Sequence, residues 1–104
     1  MRWESVVAKL TKKAFQEWLR DHPDDEFEGR NGCNCPVAKY LRDTTRKEYF
    51  VGIDEFYLDD VEERKKRHDL PIWAMRFIEK VDKFHDMVRK ISGEKCLILL
   101  EECK

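Results

Sequence analysis

Asp69-Leu70-Pro71-Ile72-Trp73-Ala74-Met75-Arg76-Phe77-Ile78-Glu79-Lys80-Val81-Asp82-Lys83-Phe84 carries the longest helical period in the chain. Leu70, Ala74, Phe77, Ile78, Val81, Phe84 and, just beyond, Val88 step by three and four, so they share one helix face. Asp69 reads as the cap, and Pro71 supplies the preset φ and missing N–H that suit a first helical turn. The pattern predicts a central core helix over about 71–87. One amphipathic helix cannot bury its own apolar face, so the remaining segments must furnish the layers around it.

Upstream, Thr11 reads as the N-cap of a helix over 12–20, with Leu10 and Phe15 placed to form a hydrophobic staple. Asp21-His22-Pro23-Asp24-Asp25 ends it, and the stretch through Gly29-Arg30-Asn31-Gly32 reads as a long polar loop. Cys33-Asn34-Cys35-Pro36 then opens a short helix over 36–43, its apolar face made by Val37, Tyr40 and Leu41. Downstream, Ser92 caps a terminal helix over 93–102, with Cys96, Leu97, Leu100 and Cys103 on one stripe.

Between these helices lie β-forming residues. Tyr49 to Ile53 predict a strand at 48–53, and Asp54-Glu55 can turn it into a second at Phe56-Tyr57-Leu58. Residues 2–8 supply a third strand or lengthen the first helix. In 59–67, acids precede bases by four residues at Asp60 to Arg64, Glu62 to Lys66 and Glu63 to Arg67, which predicts a short exposed helix. The expected fold is α+β: a mainly helical single compact domain spanning 1–104 with a small two- or three-stranded β element.

Composition narrows the function classes. With 41% charged residues the surface is densely ionic, yet 21 basic and 22 acidic side chains nearly cancel. No bulk field draws the chain to nucleic acid or an anionic membrane. The longest apolar run, Cys96-Leu97-Ile98-Leu99-Leu100, is far short of the roughly twenty residues that span a bilayer. Four cysteines in 104 residues are sparse for a disulfide scaffold, and the amino terminus lacks a signal-like apolar stretch. The expectation is a cytoplasmic protein with reduced thiols and no membrane partner.

Leu10-Thr11 with Phe15-Gln16-Glu17-Trp18-Leu19, Cys35-Pro36-Val37-Ala38-Lys39-Tyr40-Leu41, and Leu70-Pro71-Ile72-Trp73-Ala74-Met75-Arg76-Phe77-Ile78 together resemble a pattern in small bacterial and phage proteins to which no activity is assigned. The likeness spans about 10–100, and its motifs are architectural. It implies a self-contained small cytoplasmic accessory protein and transfers no catalytic residue, cofactor or metal ligand. Cys33 and the charged segment 59–67 fall outside the pattern.

Cys33 and Cys35 could begin a zinc or reactive-thiol centre completed by Cys96, Cys103, His22 or His85. Their spacing fits neither a zinc knuckle nor a thioredoxin-like pair, and Cys96 and Cys103 stand about 10 Å apart along a helix. Cys35, Cys96 and Cys103 read instead as small buried hydrophobes. Arg64-Lys65-Lys66-Arg67-His68 could contact phosphates, but the acids upstream neutralise it, which makes nucleic acid an unlikely partner and a solvated face the leading reading. Asp54, Glu55, Asp59, Asp60, Glu62 and Glu63 could conversely dock on a basic partner.

Asp82, His85 and Asp86 are helical neighbours, but no nucleophile accompanies them. Trp73 lies off the main stripe of its helix and reads as packing under the 21–34 loop; Tyr57 falls near a sheet edge, where aromatics anchor partners. The sequence therefore points to a non-enzymatic binding or regulatory protein acting through a protein surface, with no catalytic, cofactor-binding or metal residues assigned. The alternatives are a zinc or thiol protein centred on Cys33 and Cys35, and a nucleic-acid module using Arg64 to Arg67.

Overall fold

The computed structural model describes residues 10–28, 35–59, 66–85 and 90–103. Among the described residues four helices and two small antiparallel sheets follow one another as α1 (Lys12–Arg20), β1 (Glu26–Phe27), α2 (Pro36–Thr45), β2 (Tyr49–Val51), β3 (Glu55–Leu58), β4 (His68–Asp69), α3 (Ile72–His85), β5 (Ile91–Ser92) and α4 (Gly93–Glu101). The fold is α+β, as expected. Cys33, residues 2–8 and most of the 59–67 segment lie outside the described residues.

Local chemistry sets the helix starts. The Thr11 hydroxyl accepts from the Ala14 N–H at 3.2 Å, and Leu10 and Phe15 are both buried, as a staple requires. Ser92 accepts from the Lys95 N–H at 3.1 Å. The Cys35 sulfur caps α2, 3.5 Å from the Ala38 nitrogen, with Pro36 in the first turn. α2 ends at Arg46, whose φ of 63° closes the helix through its N–H to the Arg42 carbonyl at 2.8 Å.

The core gathers around α1 and α3. Phe15 is fully buried, with Tyr40 and Phe77 edge-on at 5.3 and 5.2 Å and Trp73 at 5.5 Å. The α3 stripe is inside as the spacing predicts: Ala74, Phe77, Ile78 and Val81 are buried. α4 buries Cys96, Leu99 and Leu100, a broader stripe than the one read from the sequence, which omitted Leu99.

Three expectations are corrected. Asp69 is not the cap of α3: it lies in β4 opposite Glu55, and the helix starts from Pro71, whose carbonyl accepts from the Ala74 and Met75 N–H groups at 3.0 and 3.1 Å. The polar stretch after α1 contains β1, which pairs Phe27 with Ile91 and Glu26 with Ser92. Phe27 is fully buried, so this segment is held by an apolar anchor. The strand expected at 48–53 stops at Val51, because Gly52 to Asp54 make the hairpin turn and the Gly52 N–H bonds the Glu55 carbonyl at 2.8 Å. Trp73 packs on Phe15, and its indole N–H donates to the Leu10 carbonyl at 3.3 Å, while much of the 21–34 stretch expected to cover it lies outside the described residues.

Residues 22–25 and α4 meet closely. The Gly93 N–H donates to the Asp25 carbonyl at 2.8 Å and the Glu94 N–H to the Pro23 carbonyl at 3.1 Å, satisfying donors a helix start otherwise leaves open. A Cβ on Gly93 would sit 1.9 Å from the His22 carbonyl oxygen, so only glycine permits this approach.

Candidate functional site

The three-stranded sheet has unlike faces. Its order is β2-β3-β4, with Tyr49 opposite Leu58, Phe50 opposite Tyr57 and Val51 opposite Phe56. Alternation sends Tyr49, Val51 and Phe56 inward, where all three are buried. Phe50 and Tyr57 project outward, and their rings stack at 5.2 Å with planes 20° apart. Phe50 retains 37% of its exposure.

Arg67 completes this outer surface. Its guanidinium carbon lies 4.9 Å from the centre of the Tyr57 ring, and its Nη1 is 2.5 Å from Glu55 Oε1. Carboxylate and guanidinium, paired this way, raise the already high pKa of Arg67. Ile53, at the tip of the β2–β3 hairpin, is 69% exposed, and Ile72 at the start of α3 is 67% exposed. The Leu70 N–H bonds the Asp54 carbonyl at 2.9 Å, which ties the hairpin tip to the lead-in of α3. Aromatic rings, a held arginine and an exposed isoleucine thus share one end of the molecule.

A second polar cluster joins α1 to α2. The Trp18 indole donates to Asp43 Oδ2 at 2.8 Å and stacks on the His22 ring at 4.4 Å. His22 Nδ1 lies 2.7 Å from the Trp18 carbonyl, and its Nε2 is 3.8 Å from Asp43 Oδ2. These groups, with Asp25, Lys39 and Arg42, border a shallow cleft of about 160 Å³. Among the described residues no hydroxyl or thiol nucleophile lines it, and the contacts act mainly to fix the two helices against each other.

The described cysteines belong to the core. Cys35, Cys96 and Cys103 are buried thiols. Burial pushes the Cys96 thiol up to about 12, reinforced by the nearby Cys35, and burial also raises Cys103 despite Lys80 and Lys12. A thiol that keeps its proton is a poor nucleophile and a poor metal ligand. Among the described residues no three His, Cys, Asp or Glu side chains converge to hold a metal ion.

The other singled-out residues scatter. His68 lies in β4 against Phe56. Asp82 is on α3, while the His85 side chain and Asp86 are outside the described residues, as are Arg64 and Lys65. Phe50, Ile53 and Ile72 were not singled out from the sequence. Only the period-two alternation at Tyr49-Phe50-Val51 could have marked Phe50 as outward-facing. Among the described residues no helix is long and apolar enough to cross a membrane. In comparisons with known proteins the chain matches no family model, no curated protein and no solved structure.

Proposed function

We propose that this chain is a non-enzymatic, cytoplasmic binding or regulatory protein that acts by occupying a surface of a partner protein. It fits the kind of accessory protein suggested by the Cys-Pro and Leu-Pro motifs. The observation that carries this reading is the solvent-facing Phe50–Tyr57 stack beside exposed Ile53. Aromatic side chains supply large contact area with few rotamers to immobilise, and central aromatics with arginine dominate binding energy at protein interfaces. The reactive groups give contrary chemistry little purchase, since the Cys96 thiol stays protonated and the His22 ring is engaged on both nitrogen edges.

Capture from native lysate, followed by hydrogen exchange on the purified complex, tests the proposal. The partner should protect amides in 48–59, and Phe50→Ala with Ile53→Ser should abolish its recovery while leaving the thermal melt intact. A partner indifferent to that double substitution, or stoichiometric zinc lost when Cys33 and Cys35 become serine, would overturn it.

A further inference from the structure

We draw no further inference here: the strongest candidate, the Phe50–Tyr57 surface patch on the outer face of the three-stranded sheet, belongs to the site already described, and nothing in the structure shows what covers it.

Discussion

Phe15 and Phe50 are the same side chain in opposite circumstances. Phe15 is enclosed by Tyr40, Trp73 and Phe77, rings drawn from two other helices, so its burial joins segments distant in sequence. Phe50 stacks on one cross-strand ring, Tyr57, and keeps 37% of its surface exposed. An aromatic enclosed on all sides stabilises the fold, whereas one packed on a single edge contributes little to it and leaves its free face for recognition.

The widest expected separation is in stability. Phe15→Ala should cost about 3–5 kcal/mol and Phe50→Ala less than about 1 kcal/mol, read as shifts in urea unfolding midpoints. Comparable losses would mean that the sheet face belongs to the core. A second effect comes from the buried side alone. Folded Cys96 keeps its proton up to about 12, while the unfolded thiol releases it near 9.0, so above pH 9 the unfolded state binds fewer protons. Stability should then fall as pH rises through that window, by up to about 1.4 kcal/mol per pH unit. Burial raises Tyr40 and Tyr49 in the same direction. Cys96→Ala should flatten the alkaline slope, and an unchanged slope would assign it to the tyrosines.

Smaller effects probe backbone fit rather than ring burial. Gly93→Ala should destabilise by about 2 kcal/mol, because the clash with the His22 carbonyl outweighs alanine's better helix propensity. A neutral result in chemical denaturation would show that residues 22–25 yield easily. Arg46→Gly should stabilise by about 0.5–1 kcal/mol, since glycine takes the left-handed C-cap conformation without a Cβ penalty. A lower midpoint in the same assay would show that the Arg46 side chain matters more than its backbone.

The helices were legible because their determinants are local. Thr11, Ser92 and Cys35-Pro36 mark starts within one turn, and the 70–84 stripe repeats often enough to fix a face. β1 and β5 were not legible, since two-residue strands have no period and their pairing depends on Gly93 approaching a backbone some seventy residues earlier. Asp69 shows the converse difficulty: an acid before Leu-Pro has the signature of a cap, but pairing with Glu55 across β3 claims its backbone. The candidate surface was visible in fragments, as Tyr57 and the acids at 54, 55 and 59. What joined them to Phe50 and Arg67 was strand register, which alternation in three residues is too short to specify.

The contact between Gly93 and residues 22–25 also bears on how the chain acquires its shape during synthesis. Trp73 must reach Leu10, and the Lys12 ammonium must reach the Cys103 carbonyl, before α1 has all its neighbours. Early helices emerging from a ribosome therefore wait, with apolar stripes uncovered, until α4 has been made. Closure is consequently a late event with long sequence separations, the step at which a chaperone would find most to hold.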